Sequence, residues 1–343
     1  MRNLLMAGAA GVGGYMLWRA LKPRYDFRDR TVLITGGSRG LGLVIARQLA
    51  AKGARLGLMA RDQDELDQAA FELRSHGTRV SVTAGDLKDR EDVRRFVGES
   101  RSALGPIDVL INDAGVIGVG PLDEMTEVDF DLAMRTHFWG ALYTTLEVLP
   151  EMKTRGQGRI VNITSIGGKV SVPHLLPYCA SKFAAVGLSE GLRGELSKFG
   201  ITVTTVCPGL MRTGSHLNAE FKGRNDEEYA WFALGNAIPG LSMSADRAAS
   251  KIIAACALGD AELVLTLPAK LAVALQGICP NLVADMTTLV NRHILPGPGG
   301  VGPERVKGKA SRGLLPDVIT TLSDRAAAQN NELRRTPLAT ESR

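Results

Sequence analysis

The chain has 343 residues, of which 45% are hydrophobic and 22% are charged, so its composition is that of an ordinary globular protein with a large core. Its formal net charge of +5 is concentrated at the two ends, because residues 1–30 carry +4 and residues 301–343 carry +3. Residues 31–300 therefore carry about −2, which excludes a nucleic-acid-binding surface on the central part of the chain. The four cysteines show no metal-ligand spacing, so no metal site is predicted.

The first segment is apolar and is followed by cations. Residues 4–18 contain no charged side chain, and Arg19, Lys22 and Arg24 come after them. The run is slightly shorter than the roughly 20 residues of a spanning helix, but no small-x-small cleavage site of a signal peptide follows it. We expect residues 1–24 to attach the protein to a membrane, with the next domain facing the cytoplasm because more cations follow the run than precede it. The alternative is a helix docked on the protein's own surface.

A glycine-rich turn follows the first β-prone run. Residues 31–35 lead into Gly36, Gly40 and Gly42, and a helical pattern covers residues 43–50. A strand, a tight turn and a helix in this order present the helix N-terminus to a pyrophosphate. The spacing is G-x-x-x-G-x-G rather than G-x-G-x-x-G. An ordinary turn is the alternative, but the place of this turn between a strand and a helix favours nucleotide binding.

β-prone runs alternate with helical stretches along most of the chain. This alternation predicts a parallel sheet that is covered by helices on both faces. Seven strands in one sheet favour a single domain. The predicted strands cover residues 31–35, 55–60, 79–84, 108–111, 159–164, 201–206 and 262–266.

Tyr178 and Lys182 lie four residues apart in the stretch Tyr-Cys-Ala-Ser-Lys. On a helix this spacing places the phenol and the ammonium on one face. A neighbouring ammonium favours the phenolate, so Tyr178 could exchange a proton near neutral pH. Such a pair alone is more typical of a solvated helix face, and other motifs are needed to give it a catalytic role.

Those motifs are present, and together they resemble one family. They are Asp86 after a β-run, Asn112-Asp113-Ala114-Gly115 after another, Ser165 thirteen residues before Tyr178, and Pro208-Gly209 followed by Thr213. With the glycine turn, they resemble the short-chain dehydrogenase/reductase family over residues 28–268, although Asp113 replaces the family's second asparagine. The resemblance implies an α/β, Rossmann-type, doubly wound fold with a seven-stranded, mostly parallel sheet and helices on both faces. The catalytic domain would cover residues 25–268.

The resemblance also implies a reaction, in which hydride moves between a nicotinamide and a carbonyl carbon without a metal. Tyr178 would exchange the proton, Ser165 would donate a hydrogen bond to the oxyanion, and Lys182 would lower the pKa of the tyrosine and bind the nicotinamide ribose. A homodimer or homotetramer is expected. The cofactor-binding residues implied by the motifs are Gly36, Ser38, Arg39, Gly40, Leu41, Gly42, Arg61, Asp86, Leu87, Asn112, Ala114, Gly115, Tyr178, Lys182, Pro208, Gly209 and Thr213.

His137 stands where the family usually carries an asparagine, which holds a water that relays protons to the lysine. Histidine can both donate and accept a hydrogen bond and titrates near physiological pH, so His137 could replace that asparagine in catalysis. A purely structural histidine is the alternative.

The end of the second strand bears on the choice of cofactor. An acidic residue here binds the ribose 2′-hydroxyl of NAD, and a basic residue accommodates the 2′-phosphate of NADP. Ala60 stands where NAD-preferring relatives carry aspartate, Arg61 follows it, and Arg39 offers a second guanidinium. We therefore predict NADP(H). The alternative is NAD(H), with both arginines as solvated surface residues.

The substrate is predicted from apolar content. Residues 212–242, which cover the substrate in this family, contain several large apolar side chains, although these could instead pack against the sheet. With the expected membrane attachment, they favour a small hydrophobic substrate, which is a steroid-, retinoid- or lipid-like carbonyl or secondary alcohol. We expect a reductase. The alternatives are an oxidative hydroxysteroid or hydroxy-lipid dehydrogenase and a non-catalytic NADP-binding scaffold.

The last part of the chain gives weaker signals. Residues 269–296 are apolar and compatible with helices, and they could cap the substrate pocket, pack in a dimer or lie in the membrane interface. Residues 297–343 are rich in glycine, proline and charge, so we expect them to be mostly disordered.

Overall fold

Seven strands form the central sheet of the computed structural model, which describes residues 23–237, 241–313 and 317–333. The strands are β1 (Thr31–Thr35), β2 (Arg55–Ala60), β3 (Val80–Ala84), β4 (Ile107–Asn112), β6 (Gly158–Ile163), β7 (Ile201–Cys207) and β11 (Glu262–Val264). Their order across the sheet is β3-β2-β1-β4-β6-β7-β11, and each pairing between them is parallel. All seven predicted strands are confirmed, and the predicted doubly wound fold is the observed one.

Helices cover both faces of this sheet. They are α1 (Gly40–Ala50), α2 (Gln63–Ser75), α3 (Arg90–Leu104), α4 (Glu127–Met134), α5 (Gly140–Arg155), α6 (Leu176–Leu196), α7 (Ser215–Asn218), α8 (Asn225–Ala237), α9 (Ala245–Leu258), α10 (Leu267–Ile278), α11 (Pro280–His293) and α12 (Asp317–Gln329). One core lies between the sheet and α1, α2 and α9, and contains Ile45 and Ile252. The other lies between the sheet and α3, α5 and α6, and contains Phe96 and Val148.

Local sequence explains where several of these helices begin. The side chains of Asp62 and Asp89 cap α2 and α3 by accepting backbone amides of the first turn, and Ser244 does the same for α9. Such side chains satisfy amides that have no partner within the helix. Each cap therefore fixes the point at which the chain leaves a sheet edge or loop and turns into a helix.

A third, smaller core lies next to α8. It contains Leu175, Phe221 and Tyr229, and Trp231 and Phe232 pack against it. Short strands frame it, because β9 (Glu220–Phe221) pairs with both β5 (Gly118–Val119) and β12 (Val306–Lys307). A further pair is formed by β8 (Met211–Arg212) and β10 (Met243–Ser244). The segment after β7 is thereby built into an apolar layer beside α6.

The apolar segment predicted at residues 269–296 forms α10 and α11. Ala269 and Val283 are buried, whereas Leu271 and Leu289 are exposed on these two helices. Among the described residues, no helix is both long enough and apolar enough to cross a membrane. The predicted membrane helix lies almost entirely in residues 1–22, outside the described part of the chain.

The prediction that residues 297–343 are mostly disordered is wrong for the part that the structure describes. There, β12 pairs with β9, Arg305 lies 2.8 Å from Asp129 in an ion pair, and Ala327 of α12 is buried. This segment is held by main-chain pairing, ion pairs and small side chains. Composition did not reveal that order, because disorder was inferred from the scarcity of large apolar residues. Residues 334–343 lie outside the described part.

Candidate active site

The carboxyl ends of β1, β4, β6 and β7 open into one cleft with a volume of about 1020 Å³. Ligands of doubly wound parallel sheets bind at this edge. Most predicted site residues line the cleft, namely Gly36, Ser38, Arg39, Gly40, Leu41, Arg61, Asp86, Leu87, Ala114, Gly115, His137, Ser165, Tyr178, Lys182, Pro208, Gly209 and Thr213. The other two, Gly42 and Asn112, lie behind its wall and shape it.

Glycine is required in the turn before α1 because the backbone packs closely there. A Cβ atom at Gly42 would lie 2.2 Å from the carbonyl oxygen of Gly36, and one at Gly36 would lie 2.9 Å from the Cα atom of Ala114. Gly36 and Gly40 also have positive φ angles of 75° and 55°, which favour glycine. The turn brings the N-terminus of α1 to the cleft, where its amides can hold an anion. These residues fit the pyrophosphate of a dinucleotide.

Asn112 has a structural function in this arrangement. Its side-chain amide donates to Asn162 Oδ1 at 2.9 Å, and its Oδ1 accepts a hydrogen bond from Thr144 at 2.7 Å. The three buried side chains connect β4, β6 and α5. Asn112 therefore supports the floor of the cleft rather than offering a group to a ligand.

Ser165, Tyr178 and Lys182 meet at one end of the cleft. Ser165 follows β6, and its hydroxyl forms a hydrogen bond with the Tyr178 phenol. Lys182 lies on the same face of α6 as Tyr178, with its Nζ 5.6 Å from the centroid of the phenol ring. The ammonium donates to the carbonyl oxygen of Ile163 at 3.1 Å. A phenol, a hydroxyl and an ammonium are thus held together as the sequence predicted.

Burial determines the pKa values of these groups. It raises the pKa of Tyr178 to about 12, although the hydrogen bond from Ser165 acts in the opposite direction. It also lowers the pKa of Lys182 to about 8. The sequence analysis expected Lys182 to lower the pKa of Tyr178, whereas desolvation of the buried phenol raises it. The phenol is therefore protonated at neutral pH.

His137 is buried, and both of its ring nitrogens have partners. It lies in a π-helical turn, Arg135–Trp139, where Nε2 accepts the amide of Val116 at 3.1 Å. Nδ1 therefore carries the proton and donates to Ser181 Oγ at 2.7 Å. Burial, together with the charge of Lys182, lowers the ring's pKa well below 6.5, so the ring is neutral. These contacts favour the structural alternative for His137 over a proton relay.

Asp113 belongs to the site, although the sequence analysis did not include it among the site residues. Its carboxyl group accepts the amide of Gly42, and its charge raises the pKa of Lys182 against the effect of burial. Burial raises the pKa of Asp113 itself to about 7, against the effect of Lys182. The available signal was the replacement of the family's asparagine by an acid. Asp113 therefore interacts both with the N-terminus of α1 and with the ammonium group of Lys182.

A second acid, Glu65, was also missed. Its carboxylate accepts hydrogen bonds from Ser38 Oγ at 3.0 Å and from Arg39 Nη1 at 2.9 Å. Glu65 lies in the first turn of α2 and lines the cleft. Ser38, which was predicted to bind the cofactor, and Arg39, which was predicted to hold a 2′-phosphate, thus already bind an anionic group of the protein. No spacing rule in the sequence indicates this contact.

The opposite wall of the cleft is apolar and is anchored by a buried acid. Glu228 is fully buried, and its two oxygens lie 2.7 Å from His174 Nδ1 and 2.7 Å from Trp231 Nε1. These bonds attach α8 to the segment just before Tyr178. Trp231 and Phe232 line the cleft on this side, so the wall next to the phenol is aromatic.

The sequence pattern of the family described as short chain dehydrogenase matches residues 30–222. The chain is 42% identical over 183 residues to a granaticin polyketide synthase putative ketoacyl reductase of Streptomyces violaceoruber, which covers 53% of this chain and 67% of the relative. It is also 34% identical over 200 residues to human estradiol 17-beta-dehydrogenase 11, with 56% of this chain and 65% of the relative covered.

Solved structures are similar over most of their own length. A gluconate 5-dehydrogenase from Burkholderia cenocepacia in complex with NADP and tartrate gives a TM-score of 0.62 at 26% identity, covering 71% of this chain and 97% of that one. The L-sorbose reductase of Gluconobacter frateurii, complexed with NADPH and L-sorbose, gives 0.63 at 25% identity, with the same coverage. The match of fold, cleft and sequence pattern makes this chain a member of the short-chain dehydrogenase family, and hence an oxidoreductase.

Proposed function

We propose that the protein is an NADP(H)-dependent reductase of lipophilic carbonyl compounds. One observation carries the proposal: Ser165, Tyr178 and Lys182 meet at one end of a cleft whose other end is a glycine cradle with Arg39 and Arg61. When bound, the nicotinamide group supplies the hydride. The side chains of the protein bind the cofactor, orient the carbonyl group and provide the proton.

Tyr178 rests in the protonation state that reduction requires. As hydride adds to a carbonyl carbon, negative charge develops on its oxygen, and a donor at that oxygen lowers the barrier. Tyr178 is protonated at neutral pH because burial raises its pKa to about 12. The proton on the Tyr178 phenol can therefore pass to the carbonyl oxygen, while Ser165 donates a hydrogen bond to the same oxygen. Oxidation would need the phenolate, which this environment disfavours.

Lys182 stabilises the phenolate that remains after proton transfer. Its pKa of about 8 keeps it charged at neutral pH, and Asp113 supports that charge. The ammonium loses its proton as pH rises through this value, so its contribution is present below pH 8 and is lost above it. The proposed reductase should therefore work best at or below neutral pH.

Two arginines support NADP(H) rather than NAD(H). Arg39 and Arg61 line the cleft beside Ala60, where β2 ends without an acid, and Asp62, two residues later, caps α2. The similar gluconate 5-dehydrogenase and L-sorbose reductase structures contain NADP and NADPH. Glu65 opposes this preference, since a 2′-phosphate must compete with its carboxylate for Ser38 and Arg39.

The aromatic wall supports a lipophilic substrate. Trp231 and Phe232, together with Val172 and Leu175, give the cleft an apolar surface near Tyr178. One relative is named for estradiol and another for a ketoacyl group, whereas the structural neighbours are named for sugars and sugar acids. A steroid- or lipid-like ketone matches this surface better than a sugar. The name of the estradiol relative also supports oxidation of a hydroxysteroid as the second candidate.

We further propose that the N-terminal segment attaches the enzyme to a membrane, with the catalytic domain on the cytoplasmic side. The support is the uncharged run of residues 4–18 and the cations that follow it. A lipophilic substrate would partition into the same membrane, so attachment would bring the cleft close to its supply.

The reaction is tested with NADPH and a panel of steroid, retinoid and fatty ketones. We expect ketone-dependent oxidation of NADPH, and a loss of kcat of about 10²- to 10⁴-fold in Tyr178→Phe because the proton donor is removed. NADPH affinity should be unchanged. Tyr143→Phe, which changes a tyrosine outside the cleft, is the control and should retain full activity. NADPH binding without turnover of any ketone would favour the scaffold, and turnover confined to alcohols with NADP would favour the oxidative enzyme.

Cofactor preference is tested at Glu65. Glu65→Gln removes the negative charge that competes with a 2′-phosphate, so NADPH should bind about two- to fivefold more tightly while NADH changes little. Arg39→Ala should act in the opposite direction. Dissociation constants measured by cofactor fluorescence provide the comparison, with Asp67→Asn on the exposed side of α2 as the control. Tighter binding of NADH than of NADPH by the parent protein would contradict the assignment.

The coupling between Asp113 and Lys182 is tested by Asp113→Asn. The amide removes the charge that raises the pKa of Lys182 but can still accept the amide of Gly42. The pKa of Lys182 should fall further below 8, so the basic limb of the kcat/KM pH profile should move down by about one unit. Thermal unfolding checks that the fold is retained. An unmoved basic limb in a folded variant would show that Asp113 does not act on Lys182.

Membrane attachment is tested by fractionating cells that express the full chain or a variant that starts at residue 25. We expect the full chain in the membrane fraction and the shortened chain in the supernatant, because the apolar run would be removed. NADPH binding by both proteins controls for folding. Equal solubility of the two would reject the anchor.

A further inference from the structure

The last described residues fold back across the glycine turn. Residues 329–332, here called the C-terminal clasp, begin at the last residue of α12. The amide of Gly40, the first residue of α1, donates to the carbonyl oxygen of Asn330 at 2.9 Å. Arg47 of α1 binds the Asn330 side chain at 2.8 Å and the carbonyl oxygen of Gln329 at 3.0 Å. The clasp thus uses an amide at the helix end that faces the cleft.

Asn331 extends the clasp towards the adenosine end of the cleft. Its side-chain amide donates to the carbonyl oxygens of Ser38 at 3.0 Å and of Glu65 at 3.1 Å. Its φ angle of 58° lies in the left-handed region, which asparagine tolerates better than most residues. One side chain therefore connects the glycine turn to α2 from above the cleft.

Glu332 reaches into the cleft itself. Its Oε2 accepts the amide of Gly214 at 2.6 Å, and its Oε1 lies 3.2 Å from the point where a Cβ atom on Gly40 would stand. The carboxyl group thus bridges the N-terminus of α1 and the backbone just after Thr213. Burial raises its pKa to about 7, although Arg39 acts in the opposite direction. Backbone donors at this position can bind an anion, but burial disfavours the charged form of the Glu332 carboxyl group.

The clasp is tied to the rest of the protein through α12. Asp324 of α12 lies 3.3 Å from His216 Nε2 and forms an ion pair with Arg312. Ala327 packs against Gly214, where an added Cβ atom would lie 2.7 Å from the alanine methyl group. These contacts lie outside the cleft, so they would hold α12 in place if residues 330–332 left the glycine turn. The amides of Asn330 and Glu332, which donate to Ala326 and Ala327 of α12, would then lose their partners.

Given the proposed cofactor, on which this inference rests, the clasp and a dinucleotide need the same place. A pyrophosphate requires donors at the N-terminus of α1, where the amide of Gly40 binds Asn330. The Glu332 carboxyl group fills the space between that helix end and Gly214, and a second anion next to it would be repelled. We propose that residues 329–332 form an autoinhibitory clasp, which closes the cofactor cleft and is displaced when the dinucleotide binds.

Competition within the chain lowers the apparent affinity for the cofactor by the fraction of molecules in which the clasp is open. A clasp that is closed nine times in ten weakens binding about tenfold. Glu332→Ala and Asn331→Ala each remove part of the clasp, and a stop after Gln329 removes residues 330–332 together with the rest of the tail. A stop after Leu333 is the matched control, because it removes only the residues beyond the clasp.

NADPH affinity is measured by fluorescence for these five proteins, including the full chain, and thermal unfolding verifies that each is folded. We expect the stop after Gln329 to bind NADPH about tenfold more tightly than the full chain, and the two point variants to lie between. The stop after Leu333 should match the full chain. In the full chain, NADPH should also increase hydrogen exchange of the amides of residues 330–332, as displacement requires.

Equal or weaker NADPH binding by the folded clasp variants would overturn the clasp while leaving the proposed cofactor intact. Protection of residues 330–332 from hydrogen exchange by NADPH would also overturn the clasp and leave the proposed cofactor intact, since the segment would then close over the cofactor. Failure of all five folded proteins to bind either NADPH or NADH would overturn both the clasp and the proposed function.

Discussion

The N-terminus of α1 packs against Gly36 after β1, and Gly36 packs against Ala114 after β4, more closely than side chains would permit. The site depends on these contacts. A Cβ atom at Gly42 would lie 2.2 Å from the carbonyl oxygen of Gly36, so only glycine fits at position 42 of this turn. The helix amides then reach the cleft, and the amide of Gly42 meets the carboxyl group of Asp113. Because Asp113 also acts on Lys182, the same contact links the end of the cleft that would hold phosphates with the end that holds the proton donor.

Carboxyl groups stand at several points where this cleft offers donors to an anion. Glu65 binds Ser38 and Arg39 at the adenosine end, Asp113 accepts an amide of α1, and Glu332 lies across the helix end. Burial raises the pKa values of Asp113 and Glu332 to about 7, so the cleft holds these two acids at some cost to their charged forms. A pyrophosphate keeps its charge at this pH, so on our proposal it competes well with these acids for donors at the helix end. The carboxyl groups therefore provide partners for the donors of the protein, and a cofactor could still replace them at those donors.

The sheet and the catalytic end were predictable because their signals are local. Each strand is a short β-prone run, and the four-residue spacing of Tyr178 and Lys182 depends only on the period of a helix. The pKa of Tyr178 was not predictable, since it depends on how deeply the fold buries the phenol. The roles of Glu65 and Glu332 were hidden for another reason. Glu332 meets Gly214 across 118 residues of sequence, and its segment has the composition of a disordered tail.

Glu65 and the clasp are connected, and this has a consequence for cofactor choice. Asn331 holds the main-chain oxygens of Ser38 and Glu65, while the side chains of the same two residues hold each other. A ligand that draws Ser38 and Arg39 away from Glu65 therefore disturbs the framework on which the clasp rests. Because coupling between two binding events is reciprocal, a 2′-phosphate that opens the clasp must also bind more tightly once the clasp is open. On these proposals, a preference for NADP(H) over NAD(H) would depend partly on the C-terminal segment, as well as on the arginines at the end of β2 and in the glycine turn.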